Sequence, residues 1–150
     1  MDKFSFETLL LNLKTKSGSN DLSKNQDIIE LAQIVGVKEI NDKDALYDGI
    51  IKFISNQKKE IEKHIRCFLG EDRYIADSED NIILLYLLYD KYKNSLYKDK
   101  VSRCIKELGD EDSNELLKVG NLLANLFRKY HKDYYSSISI RAESLGKSIE

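Results

Sequence analysis

Apolar residues recur along this chain mostly at steps of three and four, the period of a helix with one buried face. Phe4, Phe6, Leu9, Leu10 and Leu13 predict an amphipathic helix over residues 3–15, about three turns long. The Gly and small polar residues of 16–20 read as a loop. Ser23 stands three residues before Gln26, the spacing of a capping box. It predicts a helix to Val35, with Ile28, Ile29, Leu31, Ala32 and Val35 as the apolar side and Gly36 as the stop. Asn41 and Asp42 are candidate N-caps of a third helix. Its apolar positions, Tyr47, Ile50, Ile51, Ile54, Ile61, Ile65 and Phe68, continue to Gly70, but Gln57 and Lys58 interrupt them. That pattern predicts either one helix with a polar gap or a bend near residues 55–57.

An acidic loop over residues 70–80 leads into the most hydrophobic segment, whose stretch IILLYLLY is apolar nearly all round. Residues 81–98 are therefore expected to form the central helix. A shorter helix is expected over about 99–108, and the acid-rich turn 109–115 offers Ser113 or Asn114 as N-cap for the last one. There the pattern is clearest. At about 100° per residue, Leu116, Val119, Leu123, Leu126, Phe127, Tyr130 and Tyr134 fall on one arc. Lys118, Asn121, Asn125, Arg128, Lys129 and Lys132 fall on the opposite arc. Ile138, Ala142, Leu145 and Ile149 continue the apolar series, so the helix is expected to run past Ser136, Ser137 and Ser139 despite their weak propensity. A short strand through Ile138 and Ile140 is the alternative. The expected fold is an all-α, single-domain bundle of about five to six helices spanning residues 1–150.

Composition narrows the class. The chain has 150 residues, 33% charged and 41% hydrophobic, enough to bury one core. A formal net charge of -2 excludes a surface that grips nucleic acid or anionic membrane everywhere, and leaves only a local patch for that purpose. With no Pro, helices can run long. The apolar run of 82–89 is too short to span a bilayer, and the first residues lack the form of a secretory leader. Cys67 and Cys104 make no disulfide framework. The expectation is two buried thiols in a cytoplasmic protein, with one bridge as the alternative.

Two His and two Cys match the ligand number of a tetrahedral zinc site, and His64 and Cys67 share one side of a helix. Structural zinc sites bring their ligands in close pairs, however, and Cys104 and His131 have no such neighbour. No metal or other cofactor is expected. The chain contains no glycine-rich phosphate loop, nucleophile elbow or H-E-x-x-H motif. Its acids gather in turns rather than as paired carboxylates on one helix face. The expectation is a protein without catalytic activity or an evident small-molecule substrate. An enzyme with an unrecognised Cys/His site, using Cys67 or His131, is the catalytic alternative.

Residues 31–37, LAQIVGV, place Ala32 and Gly36 four apart, as in the turn of a helix-turn-helix DNA reader. The segment that follows carries Glu39, Asp42, Asp44 and Asp48, which phosphates would repel. Through Leu31, Ala32, Gly36, Val37, Ile40, Lys43, Leu46 and Ile50, the same stretch resembles the helix–extended loop–helix units of SAP domains and of the transcription terminator Rho's N-terminus. The resemblance implies two helices packed across an extended loop. It covers a small part of the chain and lacks the basic cluster those binders use, so it carries no function with it.

Surface chemistry gives the remaining candidates. Tyr86 and Tyr89 sit in the most apolar segment and are expected to pack. Tyr92 and Tyr97, beside Lys91, Lys93, Lys98 and Lys100, are candidates for an interface. The polar arc of Lys118, Asn121, Asn125, Arg128, Lys129 and Lys132 is the candidate contact for nucleic acid or an acidic protein surface. The leading expectation is a non-catalytic helical binding module: a small subunit, or an inhibitor or immunity-type partner, acting through protein–protein contacts or self-association. The alternative is a nucleic-acid-binding small subunit of a ribonucleoprotein or DNA complex that uses the polar arc.

Overall fold

The computed structural model describes residues 1–70, 75–93, 98–107 and 110–147. Among them the chain forms eight α-helices, one 3-10 turn and no strand, so the fold is all-α. The helices are α1 (Lys3–Ser17), α2 (Gln26–Val35), α3 (Lys43–Asn56), α4 (Lys58–Leu69), α5 (Asn81–Tyr92), α6 (Lys98–Glu107), α7 (Asp110–Tyr130) and α8 (Lys132–Gly146), with the 3-10 turn at Leu22–Lys24. The count exceeds the expected five to six because two long predicted helices each break once. The first breaks at Gln57, whose N–H is shared between the Phe53 and Ile54 carbonyls, 3.1 Å from each. Of the two alternatives left open there, the bend is found. The second breaks at His131.

Side chains set the starts of α1, α2 and α3. Asp2 caps α1 by accepting from the Ser5 N–H at 2.7 Å. The expected cap at Ser23 falls instead to Asn25, which accepts from the Ile28 N–H at 3.0 Å. Ser23 is spent elsewhere: its N–H and hydroxyl both donate to Asp21, which heads the 3-10 turn. Asp42 caps α3, as one of the two candidates. Asn41 links the turn to that start, accepting from the Leu22 N–H at 2.7 Å and donating to Asp21 at 3.0 Å. Bonds from Ser23 and Asn41 hold the Asp21 carboxyl down at about 2. Helix α7 begins at Asp110, so Ser113 and Asn114 lie inside it rather than at its cap.

Gly36 ends α2 with φ 78°, a left-handed conformation that favours glycine, and the Val37 N–H donates to the Ala32 carbonyl at 2.9 Å. Helices α2 and α3 then pack across residues 37–42, with Val37 and Ile40 against the core, in the helix–loop–helix order the resemblance implied.

The first half of helix α5 is buried on all sides. Asn81, Ile82, Ile83, Leu84 and Leu85 are consecutive buried positions, followed by Leu88 and Tyr92. It packs against α4, α6, α7 and α8, so its expected central place is found. It ends at Tyr92, short of the expected 98; residues 94–97 lie outside the described set, as does Ile149. Helix α7 packs against α1, α2, α5, α6 and α8, and shares the centre. Helix α8 runs through the serines with Ile138 buried, which removes the strand alternative.

The cysteines differ from expectation. Cys67 on α4 and Cys104 on α6 form a disulfide, with their Cα atoms 5.7 Å apart. A separation of 37 residues hid this, because only the packing of α6 on α4 brings the two together. No helix among the described residues is long and apolar enough to cross a membrane.

Candidate partner-binding surface

Helix α1 is apolar on more than its buried side. Phe6, Leu9, Leu10 and Leu13 are buried, whereas Phe4 is 78% and Leu11 65% exposed. The sequence pattern counted Phe4 with Phe6 among the apolar positions of this helix. Two residues apart is about 200° on a helix, so the two side chains cannot share a face. Phe4, Thr8, Leu11 and Thr15 instead follow i, i+4, i+7 and i+11 and form a ridge opposite the core. Phe4 and Leu11 stand about 10 Å apart along it. The Thr8 and Thr15 hydroxyls donate to the Phe4 and Leu11 carbonyls at 3.0 and 2.9 Å, so they are engaged within the helix. The ridge carries no charged residue.

Beside the ridge lies a groove of about 550 Å³, between α1 and the α7–α8 break. The break leaves carbonyls at the end of α7 without helical partners, at the negative end of its dipole. Helix α1 supplies the donors. Asn12 Nδ2 donates to the Tyr130 carbonyl at 2.6 Å, and Lys16 Nζ to the Lys129 carbonyl at 2.9 Å. The Lys16 ammonium also lies 5.7 Å from the centre of the Tyr130 ring. His131, at φ -154° and ψ 73°, redirects the chain into α8. Its ring and those of Phe127 and Tyr134 cluster behind the groove, with the Phe127 and Tyr134 centroids 4.4 Å apart. The Tyr134 hydroxyl donates to Asp80, which also pairs with the Met1 ammonium at 2.6 Å. Burial, then the Asp80 bond, push the Tyr134 hydroxyl well above its usual range, so it stays a donor.

The groove walls are Thr8, Asn12, Thr15 and Lys16 on one side and residues 129–133 on the other. Lys16, Lys129 and Lys132 are exposed there, and among the described residues Asp133 is the one acid on the groove walls. The break thus brings three exposed lysines from three helices to one groove beside an uncharged ridge.

The predicted polar arc is divided by this geometry. Lys118, Arg128, Lys129 and Lys132 are exposed, and Asn121 and Asn125 half-buried. Lys129 and Lys132 meet Lys16 at the groove. Arg128 donates to Asn125 at 3.3 Å, and Asn125 to Asn121 at 3.1 Å, forming a ladder along α7. Lys118 lies about 16 Å back along the helix from Lys129. The helical projection assumed one unbroken helix, and the turn at His131 takes Lys132 off the α7 face. Of the tyrosines offered as interface residues, Tyr92 is buried at 3% exposure beneath the end of α8, and Tyr97 lies outside the described residues. Tyr130 and Tyr134 pack against the core, as their arc predicted.

The ridge was the feature that sequence reasoning missed. Its signal was present: Phe4 and Leu11 lie seven apart, and neither fits the arc of Phe6, Leu9, Leu10 and Leu13.

Of the residues weighed for zinc, only the two cysteines are seen joined, and their bond leaves neither sulfur to ligate a metal. His64 is buried on α4, His131 stands at the α7–α8 break, and both sulfurs are in the disulfide. Among the described residues no group of three His, Cys, Asp or Glu side chains could hold a metal ion. As a disulfide, neither cysteine is a nucleophile. Comparison with protein-family models, curated proteins and solved structures finds no match to this chain.

Proposed function

We propose that this protein is a non-catalytic helical module that binds a protein partner through the outward ridge of α1. The observation that carries the reading is the exposure of Phe4 and Leu11 on one uncharged stripe of a helix whose opposite side is fully committed to the core. Large apolar side chains aligned at the surface and bordered by polar groups are the usual composition of an interface core with its rim. Small subunits and inhibitor or immunity-type partners use surfaces of this kind, and a second copy of the chain is one such partner.

The test is affinity capture from the native cell, with nuclease and without, comparing the wild type with Phe4→Ser/Leu11→Ser. The proposal predicts a stoichiometric protein partner, resistant to nuclease, that the variant fails to retain. Equal capture by wild type and variant would overturn it.

A second reading rests on Lys129 and Lys132 converging with Lys16: a nucleic-acid-binding small subunit. It predicts nuclease-sensitive capture that depends on these lysines and not on Phe4 or Leu11. A cytoplasmic location was expected from two free thiols, and the Cys67–Cys104 bond removes that support. The fraction of protein carrying the bond when alkylated in the intact cell distinguishes a reducing compartment from an oxidising one.

A further inference from the structure

Resting on the protein-binding reading, we infer that the partner element is an acidic amphipathic segment, its apolar side chains on Phe4 and Leu11 and its carboxylates over the groove at Lys16, Lys129 and Lys132. Charge and shape point the same way. Thr8 and Thr15 belong to both ridge and groove wall, so one bound segment touches both surfaces at once. The two apolar contacts stand about 10 Å apart, which matches i and i+7 side chains of a partner helix. Lys129 and Lys132 sit across the groove on α7 and α8, and Asp133 is the one acid on its walls among the described residues. The protein's net charge of -2 makes this cationic spot a local exception, so it selects acidic partners and steers their approach rather than attracting anions to the whole surface. The groove-side lysines differ in freedom. All three are exposed, but Lys16 is held by the Lys129 carbonyl and the Tyr130 ring, so it acts as a fixed charge. A nucleic acid would gain little from Phe4 and Leu11, which offer neither cations nor an array of stacking faces.

The probe is a displayed library of random 16-residue peptides, selected on the full chain and sequenced. Binding of the winners is then measured at low and high salt. The expected winners interleave Asp and Glu with Leu or Phe at helical spacing. Their affinity should fall about tenfold on Lys129→Glu/Lys132→Glu at low salt. It should also fall about tenfold on Leu11→Ser. Winners that are apolar without acids, lost on Leu11→Ser but unmoved by charge reversal, overturn the acidic segment and leave the module reading standing. Winners indifferent to both changes, or no winners, overturn both. Binding of a fluorescent oligouridine or a DNA duplex that charge reversal abolishes and Leu11→Ser leaves intact assigns the groove to nucleic acid instead. All three substituted residues are exposed, and unchanged far-ultraviolet dichroism and melting confirm that the variants fold.

Discussion

Gly120 of α7 faces Ile82 of α5 so closely that a Cβ at position 120 would lie 2.6 Å from the Ile82 carbonyl oxygen and 2.9 Å from Tyr86 Cβ. The central helix pair owes its close approach to that missing methyl. Gly120→Ala should gain up to about 1 kcal/mol in helix propensity. It should lose more, because a backbone carbonyl cannot rotate away as a side chain can, and overpacking typically costs about 1–3 kcal/mol. The expected net result is destabilisation by about 1–2 kcal/mol, read from the urea midpoint. A higher midpoint would show that α5 and α7 are not in this contact.

Cys67 and Cys104, 37 residues apart in sequence, join α4 to α6. In the chain-entropy description a loop of that size is worth about 4 kcal/mol. Dithiothreitol should lower the melting temperature of the wild type and leave Cys67→Ala/Cys104→Ala unchanged, and hydrogen exchange should accelerate in α6 before α5. Two alkylatable thiols in the unreduced, unfolded protein would show that the bond does not form.

His64 is buried on α4, and burial depresses its pKa below the usual 6.5, with the Glu60 charge opposing weakly. The sign follows from which state takes the proton first. In the unfolded chain His64 protonates near its ordinary pKa, whereas in the folded chain it stays neutral to lower pH. Its contribution to stability is therefore complete above about pH 6.5 and is lost as pH falls from there toward the folded value. Melting temperature should decline between about pH 7 and 5, and His64→Gln should flatten that decline. An unchanged slope in the variant assigns the effect to other groups. Asp21 acts in a separate, more acidic window, between its ordinary value and about 2.

Phe4 and Phe6 provide a matched pair for the orientation of α1. Phe6 is fully buried and Phe4 is exposed. Phe6→Ala should cost about 3–5 kcal/mol. Phe4→Ala should stay within about 0.5 kcal/mol. Comparable losses at both positions would mean that Phe4 is packed.

Much of this architecture could be read from spacing. The arcs of Leu116, Val119, Leu123 and Phe127 placed α7, and the all-apolar run after Asn81 marked α5 as buried. The polar interruption at Gln57 left open a bend or a continuous helix, and the division between α3 and α4 is the first of these. What could not be read depended on partners distant in sequence. The break at His131 is stabilised by Asn12 and Lys16, more than a hundred residues away, so the local pattern ran through it unmarked. That break redistributed the predicted basic arc, sending Lys129 and Lys132 to the groove and leaving Arg128 on the α7 ladder. The disulfide was hidden for the same reason. The ridge was legible in principle, since Phe4 and Leu11 contradict the arc of their neighbours, but a single apolar count of α1 blurred two faces into one.

Site-specific photocrosslinking tests the central claim most directly. A photoreactive phenylalanine analogue is placed at Leu11, and at exposed Lys63 on α4 as a control, and irradiated in the native cell. The ridge of α1 being the partner surface predicts one discrete protein adduct from position 11, absent from position 63 and lost when Phe4 is also changed to Ser. No adduct at position 11, or the same adducts from both positions, would contradict it.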